Sequence, residues 1–537
     1  MNLPHSPTGG GRDGARPGAG RGPRMVSSKA VRRFLLASAL ACACTAGGSV
    51  DATSDTADTT ATGGTGGTGT ASGSTTAADD GTASVGGTAG TASTSAGGTT
   101  GGGEPWDDPV PDAFLGCEGG PTGTIYEATP SDDLAAIVAA MVPGDALRLA
   151  PGTYTGGLRL HGLVGAPGAC FYFESQDPND PARFLGSSSR NTVSLADSRY
   201  VVVRNLELDG DGQLGDAVKA EGTASFVDHV VLEGLWIHDH DADQQVVGIN
   251  TKCPVWAMWI KGNRIEGAGT GMYLGDSDGS APFVQGLIEH NLVTRTLGYN
   301  LQIKHQNALP DVAGLPTGPT ETIVRHNVLS KAEGANGGAL ARPNLLIGHV
   351  PPTGPGSDNR YLVYGNFLFD NPTEALLQAE GNVAIYANVM RNDAGPAVHV
   401  QPHNDVPRNI DVFGNTILAA TKGLGLTGAD PNAVQRVFGN VIFAETPLDA
   451  PDDGANLTGP RSDAAGVLAA PDAAPGQGFD PHPRPGAPLP TADYAVAAPA
   501  MAHERDFDGR LRSAALAGAY DGPGRGDAWL PSLEPKP

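Results

Sequence analysis

The sequence predicts an all-β solenoid in which short strands wind through successive turns. Eight segments share the pattern apolar-x-apolar-x-x-apolar, from VVVRNLEL at 201–208 to IDVFGNTI at 410–417, and QRVFGNVI at 435–442 is a ninth. In most repeats a second alternating apolar run follows about ten residues later, as in GMYLGD and YNLQIKH. Period-2 alternation between Gly and Asn residues is typical of strands rather than helices. Two or three such strands per repeat, with nothing helical between them, describe one turn of a solenoid.

The first element is a leader over residues 1–44, with Met25 as an alternative start. Its basic flank (Lys29, Arg32 and Arg33) precedes the ten-residue apolar run FLLASALACA at 34–43, which is typical of a secretory signal. The Ala-Cys pairs at Cys42 and Cys44 resemble the lipobox of bacterial lipoproteins. That resemblance implies lipidation of Cys44 (or Cys42) and an outer-surface lipoprotein. Ordinary cleavage after Ala41 or Ala43, which would give a secreted protein, is the alternative.

Residues 45–104 follow as a linker of Gly, Thr, Ala, Ser and a few Asp, without Lys or Arg. We expect this low-complexity segment to be disordered, because it has too little apolar surface to bury. The β-helix domain is predicted over 105–537, with its turns at about 145–445 and a C-terminal cap at about 446–521.

The protein is acidic, with 34 basic and 58 acidic residues and a formal net charge of −24. This charge repels phosphate backbones and anionic lipid, so it excludes nucleic acid as a partner and leaves a lipid anchor as the only expected membrane contact. We expect a monomer. Export favours one disulfide among Cys117, Cys170 and Cys253. We favour Cys117–Cys170 with Cys253 buried, although spacing alone leaves the connectivity open.

A column of Asn or Gly recurs at one place in each repeat. We expect these residues to stack about 4.8 Å apart at one corner, where Asn side chains bond to each other and tolerate a left-handed backbone. This role is structural rather than catalytic. The column comprises Asn205, Gly234, Asn263, Asn291, Asn327, Asn366, Asn388, Asn415 and Asn440.

Both ends carry capping motifs. Ser131 is placed to cap a short helix over DDLAAIVAAM at 132–141, which PGDALRLAPGTY at 143–154 follows, and DFDGRLR…AGAY spans 506–520. Together with the repeats, these motifs resemble right-handed parallel β-helix proteins with a pectin-lyase-like fold, over about residues 117–521. The resemblance implies the fold, and fold alone does not fix function.

Three long insertions, 275–285, 306–321 and 350–359, follow the second strand of successive repeats. Loops at one corner form a wall beside an exposed sheet, so they predict a lateral groove. The strand NLQIKHQ faces it and supplies Lys304 as the sharpest candidate base, with His349 or His305 to protonate the leaving oxygen or to hold the sugar. A solvated Lys304 pairing with Asp276 or Glu380 is the alternative. The predicted substrate-binding residues are Asn250, Lys252, Tyr273, Gln302, His399 and Gln401.

Polysaccharide lyases on the pectin-lyase-like fold use a Lys or Arg base and neutralise the uronate with Ca²⁺ or another cation. In the alginate lyase and chondroitinase B family, an Arg-His follows the Lys at the separation seen between Lys304 and Arg325-His326. Here Arg325-His326 falls on the Asn-column strand, so the sequence departs from that family at its second catalytic residue.

Two acidic motifs were considered as metal sites. Asp276 and Asp278 have the D-x-D-G spacing of an oxygen-ligand turn and are the candidate ligands if Ca²⁺ binds, with a solvated acidic loop as the alternative. The HDHD run at 238–241 is interpreted as a polar corner, because neighbouring residues on a strand point to opposite faces.

The sequence therefore predicts an exported β-helix that binds or cleaves polysaccharide in a lateral groove, by β-elimination if it is an enzyme. A non-catalytic glycan-binding adhesin or envelope structural protein is the alternative. A glycoside hydrolase is less favoured, because paired carboxylates are not evident on one strand.

Overall fold

The computed structural model describes residues 108–222, 226–497, 504–526 and 528–537. The leader with Cys42 and Cys44, and the linker 45–104, lie outside these described residues. Within them the chain is a right-handed parallel β-helix, which confirms the predicted fold class. Each turn runs through three sheets, here called A, B and C, before it returns to sheet A. In the described part of the chain no helix is long and apolar enough to cross a membrane.

The strands are short because each turn must bend at three corners. Sheet A contains Ile125–Ala128, Ala146–Leu149, Phe171–Ser175, Ser198–Arg204, Val227–Glu233, Trp259–Lys261, Leu287–Glu289, Glu321–Arg325, Arg360–Tyr364, Gly381–Tyr386, Pro407–Phe413 and Gln435–Phe438, with Val255–Trp256 and Phe283–Val284 beside it. Sheet B contains Gly152–Tyr154, Ala182–Leu185, Glu207–Asp209, Trp236–His240, Arg264–Ala268, Leu292–Thr294, Val328–Ser330, Phe367–Phe369, Val389–Asn392, Thr416–Ala419, Val441–Phe443 and Leu457–Gly459. Sheet C contains Leu158–His161, Val193–Ala196, Val218–Ala220, Val247–Thr251, Thr270–Leu274, Leu301–Ile303, Leu345–Ile347, Leu377–Ala379, Val398–Val400, Lys422–Leu426 and Thr446–Asp449.

The helical elements cap the ends and corners. The first α-helix spans Leu134–Ala140, and its N-cap is Asp133, whose carboxylate accepts the Ala136 N–H at 3.2 Å. The predicted cap Ser131 is therefore wrong; its hydroxyl lies 2.9 Å from that of Thr129 instead. The remaining helical elements are Asp112–Phe114, Gly338–Leu340, Arg461–Asp463, Ala464–Val467 and Tyr494–Ala497. An antiparallel pair joins Leu468–Ala470 to Asp480–Pro483.

The core fills the interior of the β-helix. Alternate residues of every strand point inward, so that apolar side chains from successive turns stack in rows. Leu208, Ile237 and Ile265 of sheet B, for example, are fully buried neighbours. Late turns of sheet B are also covered on their outer face, where Phe479, Phe507 and other C-terminal residues pack.

The Asn column forms a continuous hydrogen-bonded ladder at the corner between sheets A and B. Each Nδ2 donates to the Oδ1 of the next Asn at 2.9–3.0 Å, from Asn263 to Asn440 and on to Asn456, which the repeat pattern missed. The ladder Asn residues are not the left-handed ones. That conformation belongs to the residue before each of them, such as Gly262 (φ 62°) and His326 (φ 55°).

Two predicted members of the column do not belong to the ladder. Asn205 (φ 57°) and Gly234 (φ 60°) occupy the left-handed position, one residue earlier than the ladder. Leu206 and Leu235 take the ladder position in those turns and are buried. Asn is therefore selected at this corner for its paired donor and acceptor, and not for its backbone preference.

A disulfide and a buried ion network attach the first described residues to the β-helix. Cys117 is bonded to Cys170, as favoured from the sequence, and Cys253 is a buried thiol whose pKa burial raises to about 12. A buried ion network centred on Arg325 then joins Asp108 to sheet A.

Candidate functional site

The outer face of sheet C presents two rows of polar side chains. In the first row the strand register aligns Lys219, Asn250, Tyr273 and Gln302 on successive turns. Their neighbours along each strand, such as Ile249 and Met272, point into the core. Because side chains alternate along a strand, residues two positions later form a second row on the same face. That row contains Lys252, Gly275, Lys304, Gly348 and Glu380.

Loops border this face on both sides. The three predicted insertions lie at the corner between sheets C and A, where Asn307 Nδ2 donates to the carbonyl of Asp278 at 2.6 Å. A fourth loop, 331–344, borders the opposite corner and was missed, although its GANGG run at 334–338 was a visible loop signal. It reaches back several turns, since Asn336 donates to Gln244 at 2.9 Å. Sheet C is therefore the floor of a walled groove.

The scarce lysines of this acidic protein concentrate at the groove. Seven lysines follow residue 44. Four of these lie in strands of sheet C or directly after them, namely Lys219, Lys252, Lys304 and Lys422. Of the others, Lys331 and Lys536 are buried and Lys261 lies on sheet A. One face of the β-helix is thus set apart by its lysines, three of which are paired with aspartates.

Two of these lysines converge on one aromatic ring. Lys252 Nζ lies 4.0 Å and Lys304 Nζ 5.9 Å from the centroid of the Tyr273 ring. Lys252 also pairs with Asp276 at 3.3 Å. Burial lowers the pKa of Lys252, and the Asp276 carboxylate partly offsets that shift. The sequence had assigned Lys252 and Tyr273 to substrate binding, and the structure places both beside Lys304.

Lys304 is more enclosed than a solvated face residue. It is 8% exposed, and glycines occupy its row on both adjacent turns. A Cβ on Gly275 would lie 3.1 Å from that of Lys304, and one on Gly348 would meet the His305 backbone at 2.3 Å. The two carboxylates that the sequence offers as partners of Lys304 each have further contacts. Asp276 pairs with Lys252, while Glu380 accepts the N–H groups of His403, Asn404 and Asp405.

The two predicted catalytic histidines stack next to Lys304. The His305 and His349 ring centroids are 5.3 Å apart. Burial lowers the pKa of His305 to about 4, helped by the charges of Lys304 and His349, so His305 is neutral near neutral pH. His349 is 3% exposed, and its Nδ1 lies 2.8 Å from the carbonyl of Val350, to which it donates. Access to His349 is therefore much poorer than access to His305.

Polar atoms beside Tyr273 are left without partners among the described residues. The buried side-chain oxygens of Asn250 and Gln302, one turn before and one turn after Tyr273, accept no hydrogen bond there. The Nδ1 atom of His305 is likewise unpaired. Since buried polar groups normally find a partner, this cluster indicates capacity for hydroxyl groups of a ligand.

The far end of the groove is separated from this cluster. Leu346 (5% exposed) follows Gln302 in the first row and interrupts the polar face. His399 and Gln401 lie beyond it, and burial lowers the pKa of His399. These two predicted binding residues are on the predicted face but are not part of the Tyr273 cluster.

The acidic motifs occupy different surroundings. The Ser280 hydroxyl and its backbone N–H, which donates at 2.9 Å, lower the pKa of Asp278, and Asp276 pairs with Lys252. The two do not converge with a third metal-ligating side chain in the described residues, and a Ca²⁺ site there stays a prediction. The one such convergence in that part of the chain is Glu207, Asp209 and His238, on sheet B.

The HDHD run does not follow simple alternation, because Asp239 has a left-handed backbone (φ 57°). His238 is half-buried, whereas His240, two residues later, is fully buried and its Nδ1 lies 3.1 Å from the carbonyl of Gly215. The interpretation of the run as a polar corner with exposed side chains is therefore wrong for His240. Arg325 and His326, in contrast, are buried at sheet A, as the departure from the lyase family indicated.

A shallow cavity of about 570 Å³ lies outside the groove, on the sheet A side. Phe114, Glu321 and Arg360 contribute to its lining, and none of the predicted site residues does. We place the candidate site on sheet C, because the lysines and the unpaired polar atoms converge there.

No family model and no curated protein matches the sequence. Solved structures with similar folds include the GH136 lacto-N-biosidase from Eubacterium ramulus (TM-score 0.43, 12% identity, 63% of this chain and 67% of that chain). Others are an alginate lyase from Paenibacillus sp. (0.35, 15%, 63% and 98%) and the pectate lyase Pel9A (0.37, 14%, 79% and 98%). With TM-scores below 0.5, their likeness assigns no function to this chain.

Proposed function

We propose that this protein acts on an acidic polysaccharide bound along sheet C. The observation that carries the proposal is the concentration of lysines on one face of a protein with net charge −24. Lys219, Lys252 and Lys304 span three turn spacings, or about 14 Å at ~4.8 Å per turn. An anionic polymer running along the β-helix axis would meet these ammonium groups in sequence, so charge complementarity favours a uronate chain over a neutral one.

The cluster around Tyr273 supports β-elimination as the reaction. Lys304, in its unprotonated amine form, takes the proton α to the uronate carboxylate and becomes an ammonium; the electron pair of that C–H bond forms the carbon–carbon double bond while the glycosidic carbon–oxygen bond breaks. The Lys252 ammonium neutralises the carboxylate, and the Tyr273 hydroxyl gives the leaving oxygen its proton. His305, neutral and with an unpaired nitrogen, accepts a hydrogen bond from a sugar hydroxyl. This assignment replaces His349 and His305 as the proton donor.

The proposal is tested by incubating the protein with polyuronates and with neutral polysaccharides. The ultraviolet absorbance of the unsaturated product measures elimination. Lys261→Ala is the matched control, because Lys261 also lies over an aromatic ring, 3.9 Å from the Trp259 centroid, and pairs with Glu233 at 3.0 Å, but on sheet A. Lys304→Ala should reduce elimination by about 10²-fold, the scale of a lost general base, and Lys261→Ala should not. Melting curves confirm that both variants are folded.

The same experiment separates an enzyme from a binding protein. If the protein only binds glycans, Lys304→Ala weakens retention of the polyuronate and no product forms with any variant. Equal behaviour of Lys304→Ala and Lys261→Ala in both retention and turnover would contradict a role for sheet C.

A further inference from the structure

Trp236 is an exposed aromatic residue on a different face of the β-helix. It is 42% exposed, whereas Ile237, the next residue on its strand, is fully buried. The sheet B register places Trp236 in a row with Glu207 one turn before and Arg264 one turn after. One turn beyond Arg264, Leu292 is covered by C-terminal residues. Trp236 therefore lies where the outer face of sheet B is uncovered.

The indole of Trp236 is held in place by its neighbours. The His238 ring lies 4.4 Å from it, centroid to centroid, at an interplanar angle of 35°. Burial raises the pKa of Glu266, but Arg264 lowers it overall, with a smaller contribution from the Trp236 side chain. A ring fixed in this way loses little conformational freedom when a ligand binds, which is the property of a preorganised contact surface.

Charged groups surround the ring in ion pairs. Arg183 pairs with both Glu207, at 3.2 Å, and Asp209. Arg264 pairs with Glu266 at 2.8 Å. These groups leave a mixed set of hydrogen-bond donors and acceptors around one apolar ring.

The cluster of Glu207, Asp209 and His238 is better explained by this network than by a metal. Arg183 already supplies positive charge to both carboxylates. His238 lies 3.2 Å from Glu207 through Nε2 and 2.8 Å from Asp239 through Nδ1. The paired groups comprise five carboxylates, counting Glu266 and Glu534, and two arginines, so the patch is negative when His238 is neutral and disfavours the anionic polymer proposed for sheet C.

We propose that Trp236 is the platform of a second carbohydrate site, which binds a neutral pyranose residue. The apolar C–H face of the sugar packs on the indole, and its hydroxyls bond to the carboxylates and guanidinium groups around it. A single aromatic ring among charges suits a sugar better than a protein partner, since protein interfaces have larger apolar centres that are depleted in charge. The site differs from sheet C in both face and charge.

Affinity electrophoresis of the full chain in gels containing galactomannan, xyloglucan or a soluble β-glucan tests the site. We expect at least one of these neutral polymers to retard the wild type and Trp236→Ala to lose about tenfold in affinity, with partial retention by Trp236→Phe. Leu214→Ala, which alters another exposed apolar side chain (61% exposed), should bind like the wild type. Lys304→Ala should also bind like the wild type, because Lys304 lies on sheet C.

Two results would overturn the proposal: retardation of Trp236→Ala equal to that of the wild type, or no retardation of the wild type by any neutral polymer. If the single variants Lys304→Ala and Trp236→Ala both lost binding to the neutral polymer, the proposal would also be overturned, since one shared site would explain both effects. If neutral polymers retarded the protein but polyuronates were neither bound nor cleaved, the function proposed for sheet C would be contradicted and the Trp236 site would not.

Discussion

Replacing Asn366 by leucine should cost more stability than the same change at Asn263. Leucine is the relevant replacement, because Leu206 and Leu235 occupy this corner position in the two turns before the ladder begins. Asn366 lies inside the ladder, between Asn327 and Asn388, and Asn263 lies at its end. Both side chains are fully buried, so the apolar gain from leucine is similar at the two sites.

The difference follows from the hydrogen bonds that each side chain makes. Asn366 accepts from the backbone N–H and the Nδ2 of Asn327, and donates to Val324, Tyr364 and Asn388, at 2.9–3.0 Å. Asn263 accepts from the N–H of Leu235 and donates to Leu232 and Asn291, at 2.9–3.0 Å. Because Nδ2 carries two N–H groups, the three contacts that it makes at Asn366 count as two bonds. At about 1 kcal/mol for each bond, the losses are about 4 and about 3 kcal/mol before the common apolar gain.

Urea unfolding of the two variants and the wild type, under one set of conditions, measures this difference. Asn366→Leu should have the lower free energy of unfolding, by about 1 kcal/mol relative to Asn263→Leu. Equal losses would mean that the bonds between ladder side chains contribute nothing beyond filling the corner. A larger loss at Asn263 would contradict the ladder argument altogether.

Two further predictions concern protonation and export. The pKa of His305 is about 4 in the fold, against an ordinary value near 6.5, so the unfolded chain takes up a proton first as the pH falls through this window, and stability falls with it. His305→Gln should therefore lose less stability than the wild type between about pH 7 and about pH 5, and urea midpoints showing an equal loss would contradict the burial of a neutral imidazole. For export, the combined change Cys42→Ala and Cys44→Ala should release the protein from the membrane fraction of its host; retention equal to that of the wild type would exclude lipidation at these residues.

The sequence was sufficient for the fold because the repeat encodes it directly. Period-2 alternation identifies the strands, and the Asn that recurs once per turn aligns the turns, so Arg325 and His326 could be assigned away from the groove. The two turns directly before the ladder lack its Asn. There the predicted alignment is displaced by one residue, at Asn205 and Gly234. A slip of one residue exchanges the inward and outward faces of a strand, which is why such errors matter.

The candidate site was less predictable, because long side chains and loops decide its contacts. The turn register could place Lys252, Tyr273 and Lys304 on one face. It could not show that Asp276 pairs with Lys252, since that contact depends on how the loop 275–285 folds back. The loop 331–344 lies at the opposite corner, between sheets B and C, and its contact with Gln244 depends on the loop conformation rather than on the strand register. The burial of His349 likewise depends on surrounding loops rather than on its own strand.

The lysines of sheet C are positioned charges rather than a diffuse cationic surface. Lys219 pairs with Asp216 at 3.2 Å, Lys252 with Asp276 at 3.3 Å and Lys422 with Asp449 at 2.5 Å. When a polyuronate binds here, its carboxylates must replace the aspartates that already pair with these lysines. The net electrostatic gain per sugar is therefore small and falls with added salt. Selectivity then depends on the spacing of the lysines and on the unpaired oxygens of Asn250 and Gln302, which only a ligand with hydroxyls in register can satisfy.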